Sequence, residues 1–399
     1  MKTLILTVCL FIGFLTPAKS SLNWVQQPSM PTLNRDRAVG FTVGNDLYVG
    51  AGNFNLSGQT DFWKFDTQSL TWTQIANSPN PRHGAAGFSY NGKGYVAWGA
   101  NFNPVTFYND ILEYDPATNM WITKSSTPST ARYGASVFLI NHKAFLVGGN
   151  YNTAIGPFSN EVWEYNIIND TWQQKAPYPG GTLYYTTSFA IDNLGYTGGG
   201  GIKTSAGAYI FNDEFYRYDP VIDAWTPIAS YPGGELSGMT SIVLNQKAIV
   251  GSGNSNNGFT SGNFFVYDPA TALWTPGPAL PSGMERTLSV GLTTQNSGFI
   301  ATGINNGNGM NDLWEITESV GTMELTGQEM SVYFDGAAII INGNPSDNLV
   351  TLYNIKGQMI GSWKNTGRIE TGSVANGVYI VKYWGNQQFK GAQKVYIYR

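Results

Sequence analysis

The chain has 399 residues, with one cysteine, 48 glycines, 14% aromatic and only 12% charged residues, and a formal net charge of −4. One cysteine excludes a disulfide framework and iron–sulfur chemistry. The acidic balance argues against nucleic acid or an anionic membrane surface as partner, and the lack of helix-period or heptad patterning points to an all-β protein.

Residues 1–20 read as a signal peptide: Lys2, an apolar run from Leu4 to Leu15, then Ala18-Lys19-Ser20 as a small-x-small cleavage site. The run is too short to cross a bilayer, so no transmembrane segment is expected in the mature chain. Cys9 lies inside it, which leaves the mature protein without a thiol. Export from the cytoplasm is expected.

From residue 21 to 316 one phrase recurs. An aromatic residue, usually followed by Asp, stands seven positions before a Trp in Phe65…Trp72, Tyr114…Trp121, Tyr165…Trp172, Tyr218…Trp225 and Tyr267…Trp274, each about fifty residues after the last. Such a period marks a repeat architecture. The phrase predicts a hairpin in which Asp makes the turn and Trp opens the returning strand, its ring wedged against the neighbouring sheet. Between the Trp residues lie an apolar strand (Ala38 to Val43, Ala85 to Tyr90, Ala135 to Ile140), an Asn/Gly turn, and a strand ending in Gly (Leu47 to Gly52, Tyr95 to Gly99, Phe145 to Gly149). That makes four short antiparallel strands per unit.

The unit resembles the kelch repeat, marked by Gly-Gly after the second strand with spaced Tyr and Trp beyond it. The pair is intact at Gly148-Gly149 and Gly199-Gly200 and degraded at Ala51-Gly52, Trp98-Gly99, Ser252-Gly253 and Thr302-Gly303. The resemblance implies a β-propeller. A sixth unit runs from Arg286 to Ile316 without a closing Trp, while Trp24 stands at the start without preceding strands. We therefore expect six blades, the N-terminal strand completing the last and closing the ring.

Beyond Ile316 the period stops. Residues 317–322 read as a linker and 323–399 as a small Ig-like β-sandwich. Val350-Thr351-Leu352-Tyr353-Asn354 through Gln358, Asn376-Gly377-Val378-Tyr379-Ile380-Val381 and Lys394-Val395-Tyr396 resemble the C-terminal sorting domain of the Bacteroidetes type IX secretion system. The resemblance implies that this machinery is a partner and exports the chain across the outer membrane, to the cell surface or the medium. An accessory or glycan-binding domain is the alternative.

Long, variable second-to-third-strand loops on one side of a rigid scaffold mark that side as the working face. One blade-to-blade slot on it holds Arg35, Arg82, Arg132 and Arg286, and blades four and five place Leu183 and Leu236 there. Guanidinium suits bidentate capture of carboxylate or phosphate. The slot is therefore either a scaffold device or an anion-binding mouth. Tyr184 and Tyr185 join the candidate ligand contacts, with Asp36, His83 and Tyr133 beside them and Asn53, Asn150, Asn254 and Asn305 on the rim. His83 reads as structural rather than catalytic.

Kelch propellers include copper oxidases, but those need a Tyr–Cys crosslink and two histidine ligands, and His83 and His142 fall on opposite faces. No metal or cofactor is expected. Two functions remain. One is a binding module for a glycan or surface protein, possibly anionic. The other resembles the kelch-type sialic acid mutarotases, with Glu285 or Glu235 as the proton-moving acid.

Overall fold

The computed structural model describes residues 21–151, 158–203, 209–319, 331–334, 337–342, 348–354, 357–385 and 388–397. The segment read as a signal peptide lies outside them. Two compact units emerge, one of Leu22–Thr317 and one that holds Glu318–Arg399.

In the first unit the repeated phrase folds as a hairpin. Phe65 pairs with Trp72, Tyr114 with Trp121, Tyr165 with Trp172, Tyr218 with Trp225 and Tyr267 with Trp274. The acid makes the turn by accepting amides ahead of it: Asp66 Oδ1 from Gln68 and Ser69, Asp115 Oδ1 from Ala117, Asp268 Oδ1 from Ala270. Each hairpin joins two further strands in a four-stranded antiparallel sheet. Six such sheets form, consistent with kelch propeller blades. Blade one runs through Val39–Val43, Asp46–Gly50, Phe62–Asp66 and Thr71–Ile75. Blade six takes Val290–Thr293, Gly298–Ala301 and Leu313–Ser319, and its fourth strand is the N-terminal Ser21–Gln27. Its third strand runs into the stretch expected to be a linker.

The tryptophans work as expected, and their indole nitrogens add a clip. Trp72 donates to Pro28 O, Trp121 to Ala76 O, Trp172 to Ser125 O, Trp225 to Ala176 O and Trp274 to Ala229 O. Trp24 completes the set by donating to Pro278 O at 2.9 Å. Each ring packs on the preceding sheet, as Trp121 does on Phe62 (4.8 Å between centroids) and Trp24 on Phe264 (5.0 Å).

Closure is written in the backbone. Just before each first strand, one amide donates to its counterpart in the blade before. Arg37 N bonds Leu288 O, Leu288 N bonds Gly238 O, and Gly238 N bonds Tyr185 O. Tyr185 N bonds Gly134 O, Gly134 N bonds Gly84 O, and Gly84 N returns to Arg37 O, all at 2.7–3.0 Å. This is a closed ring of six hydrogen bonds around the axis. Below it the inner strands surround a channel with chambers of about 170 and 300 Å³.

The degraded double glycine also has a physical reason. Its second position has φ between 87° and 110° in all six blades and is always Gly. Its first position lies at φ 53–71°, where Ala51, Trp98, Ser252 and Thr302 are tolerated at some strain.

The second unit contains a three-stranded sheet (Ser331–Phe334, Ala338–Asn342, Arg368–Glu370) and a four-stranded one (Met359–Lys364, Asn348–Asn354, Gly377–Gly385, Gln388–Ile397). Both supply one core, in which Ile339, Ile341, Leu352, Ile369, Val381 and Ile397 are buried.

Candidate functional site

The four arginines of the repeated slot are almost wholly buried, at 0–1% exposure. Each guanidinium is committed inside its own blade. Arg35 pairs with Asp61 (2.7 and 2.9 Å), Arg82 with Asp110, Arg132 with Glu161 and Arg286 with Asp312. Each also donates to the first position of the double glycine, at Ala51 O, Trp98 O, Gly148 O and Thr302 O. Their backbone carbonyls in turn accept the amide of the second glycine of the preceding blade, as Gly52 N to Arg82 O and Gly303 N to Arg35 O. The slot is a blade-to-blade clasp. Burial alone would push the Asp61 carboxyl up, but Arg35, Trp63 and Thr32 hold it below the usual carboxylate range. Where the clasp is missing, Leu183 and Leu236 are buried beside Tyr178 and Tyr231. Of the two expectations for Arg35, Arg82, Arg132 and Arg286, the anion-binding mouth is therefore corrected in favour of the scaffold device: their charge is already neutralised by internal acids.

Glu235 and Glu285 do not meet at the axis either. Glu235 is exposed and accepts from Asn256 Nδ2, while Glu285 accepts its own loop amide, Gly283 N.

What does converge at the axis is the pair of residues after the clasp in each blade. The ring position holds Arg37, Gly84, Gly134, Tyr185, Gly238 and Leu288, all at positive φ. The position before it holds Asp36, His83, Tyr133, Tyr184, Ser237 and Thr287. These pair with the rim, as Asp36 with Asn53, Tyr133 with Asn150 and Tyr184 with Gly201. The rim asparagines thus stand on the long-loop face above the ring.

Arg37 and Tyr185 lie three blades apart on this ring, and the guanidinium carbon sits 5.7 Å from the Tyr185 ring centre. Unlike the clasp arginines, Arg37 is 28% exposed. Its Nη1 donates to Asp36 Oδ1 at 2.5 Å, and Asn53 Nδ2 donates to Asp36 Oδ2 at 3.4 Å. Burial pushes the Asp36 carboxyl up, and Arg37 only partly offsets this. The Tyr185 ring rests over two glycines: a Cβ at Gly134 would stand 3.2 Å from it, and one at Gly84 3.4 Å from its hydroxyl. Tyr184 packs on Tyr185 at 4.9 Å and on Phe158 at 4.4 Å.

His83 is 1% exposed, edge-on to Phe102 (4.4 Å) and Tyr133 (5.9 Å). Neither ring nitrogen has a partner, nor do Asn53 Oδ1 and the Tyr185 hydroxyl. Burial, with the Arg37 charge, pushes the imidazole down to about 3, so it is neutral at physiological pH. Unpartnered buried polar atoms are rare in native folds, and four of the eight among the described residues belong to Asn53, His83 and Tyr185 at this end of the axis. Sequence reasoning missed Arg37. Its signal was a bulky residue standing where Gly84, Gly134 and Gly238 occupy the same place in other blades.

Six four-stranded sheets, the paired glycine turns and the aromatic–Trp hairpins define a β-propeller-like protein of kelch type. The family profile described as "KLHDC2/KLHL20/DRC7 Kelch-repeats domain" matches residues 14–149 and 43–235, together more than half of the chain. The chain belongs to the kelch-repeat family. It is 26% identical over 267 residues to an N-acetylneuraminate epimerase of Pasteurella multocida, covering 65% of this chain and 62% of that protein. It is 23% identical over 212 residues to mouse Kelch-like protein 35, covering 53% of this chain and 34% of that one. The chain thus spans about a third to three-fifths of these relatives' length. The solved structure of YjhT superposes with a TM-score of 0.62 at 19% identity, over 73% of this chain and 99% of that one, a likeness of fold.

Proposed function

We propose that this protein is a carbohydrate-binding kelch propeller whose ligand site is the axis end on the long-loop face. The observation that carries this reading is the cluster of unpartnered polar atoms of Asn53, His83 and Tyr185, set beside Asp36 and Arg37 and walled by Phe102, Tyr133 and Tyr184. A few polar groups set among aromatic rings are the usual lining of a small-ligand site. The epimerases among its relatives carry a sugar in their names, which favours a sugar over a protein partner. A glycan array probed with the full chain tests the reading. Binding that His83→Phe abolishes supports it; a protein ligand, or binding untouched by His83→Phe, opposes it.

A second reading has one specific observation behind it. Asp36 is a buried carboxyl at the axis with a raised pKa, the property a proton-moving group requires. It takes the place first given to Glu285 and Glu235 in an epimerase- or mutarotase-like activity. A one-dimensional NMR assay of anomer interconversion, lost in Asp36→Asn, checks it.

For the second unit we keep the reading of an Ig-like sorting domain of the type IX secretion machinery. It rests on the phrases at 350–358, 376–381 and 394–396 alone. Retention of a chain lacking 323–399 in the periplasm of a Bacteroidetes host is the outcome it predicts, with the full chain reaching the cell surface or medium.

A further inference from the structure

Resting on the carbohydrate reading, the charges and unpartnered atoms of the axis end narrow the class of sugar. Asp36 and Arg37 neutralise each other at 2.5 Å. His83 is uncharged, and burial keeps the Tyr185 phenol protonated. The site therefore has no net charge to offer an anion. The atoms left without partners are Asn53 Oδ1, an acceptor; the Tyr185 hydroxyl, which both donates and accepts; and the two nitrogens of a neutral imidazole, one donor and one acceptor. Neighbouring hydroxyls on a sugar ring satisfy such a mixed set. A carboxylate only accepts, so it would meet Asn53 Oδ1 and the Asp36 carboxylate as repulsive neighbours.

Tyr185 stands beside these atoms at the axis, its ring 5.9 Å from that of Tyr133, which in turn packs on His83 at 5.9 Å. It occupies a left-handed backbone position (φ 50°) where three other blades place glycine. Its ring seats on Gly84 and Gly134, which have no side chain to displace it, and its hydroxyl lies in the field of Arg37 without a hydrogen bond of normal geometry. Strain of this kind persists where surrounding structure and function require it. A buried polar group costs energy for every partner it lacks, and a ligand that supplies those partners recovers it.

We propose that the axis end binds a neutral, hydroxyl-rich sugar residue, and that the Tyr185 side chain is the lid that swings aside to admit it. The hydroxyls pair with His83, Asn53 and the displaced Tyr185, while Tyr133 and Phe102 face the apolar C–H side of the ring.

The test is calorimetric titration of the full chain with methyl glycosides of neutral hexoses and N-acetylhexosamines, beside N-acetylneuraminate and glucuronate. Titrations run at about 50 and about 500 mM salt, which separates screened from unscreened attraction. The proposal predicts a neutral glycoside whose Kd moves less than about two-fold with salt and weakens at least about ten-fold in His83→Phe. It also predicts faster association for Tyr185→Gly by stopped-flow fluorescence, since glycine suits that backbone position. Preference for an acidic sugar, with affinity lost at high salt and in Arg37→Gln, overturns the neutral class and leaves the carbohydrate reading standing. Binding by no sugar of either kind removes both. Unchanged neutral-sugar binding in His83→Phe, or unchanged association in Tyr185→Gly, overturns the recess or the lid.

Discussion

Replacing Arg286 with Leu tests the clasp most sharply, because blades four and five already carry Leu183 and Leu236 in that slot. Arg286 is fully buried. Its Nε donates to Met284 O (3.0 Å), its Nη1 to Thr302 O (3.1 Å), and both Nη atoms to Asp312 (2.8 and 2.7 Å). Asp312 is only 13% exposed and also accepts Trp314 Nε1 at 2.6 Å. Arg286→Leu therefore strands a carboxylate and a carbonyl. Breaking a buried pair from one side costs about 3–5 kcal/mol, and the buried leucine returns about 1–2 kcal/mol. The expected net loss is about 2–4 kcal/mol. Urea unfolding of the full chain, followed by tryptophan fluorescence, reads it. The double variant Arg286→Leu/Asp312→Asn removes the stranded charge and should recover at least half of the loss. Glycan affinity should stay within about two-fold, since no clasp atom reaches the ligand. A single-variant loss below about 1 kcal/mol, or lost glycan binding at unchanged stability, would refute the reasoning and return the arginines to the ligand site.

Further predictions follow from the axis end. His83 is held neutral with its pKa pushed from 6.5 down to about 3, so below pH 6.5 the unfolded chain binds a proton the fold refuses. Stability should fall by up to about 1.4 kcal/mol per pH unit across that window, and His83→Phe should flatten the urea midpoint between about pH 6.5 and 5. Asp61 and Glu161 sit below their ordinary values despite burial, Asp61 through Arg35, Trp63 and Thr32 and Glu161 through Trp163, Ser129 and Arg132. Their contribution is present above the unfolded carboxylate range and lost as pH falls through it, so an acid loss at lower pH should survive His83→Phe. Gly134→Ala places a methyl 3.2 Å from Tyr185 at φ +69°, whereas Gly44→Ala at φ +63° meets nothing. Both should lose about 1 kcal/mol or more to backbone strain. Only Gly134→Ala should also change Tyr185 exposure in second-derivative absorbance.

Much of the blade architecture was legible because its signals are local and repeated. The spacing of Tyr114 and Trp121 specifies a hairpin wherever it occurs, and an unpaired Trp24 could belong only to a sheet that lacked one. The site was less legible because its residues are those that break the repeat. Arg37 and Tyr185 stand where other blades have glycine, and alignment by recurring residue type passes over such positions. The arginine slot stayed open between scaffold and anion mouth for the opposite reason. Its regularity drew attention, but its partners Asp61, Asp110, Glu161 and Asp312 come from just before the third strands, a second recurrence visible only when both are aligned. Blade five, where Leu236 replaces the arginine, carries Asn263 in the acid's place. Burial of His83 with neither nitrogen paired has no trace in the sequence at all.

The most direct test of the account is a crystal structure of the full chain with the sugar that binds it most tightly. The account predicts the sugar at the axis end, hydrogen-bonded to His83 and Asn53, with the Tyr185 ring turned away from Gly84 and Gly134. A sugar seated on the outer blade edges or on the C-terminal unit, with the axis end unchanged, would contradict it.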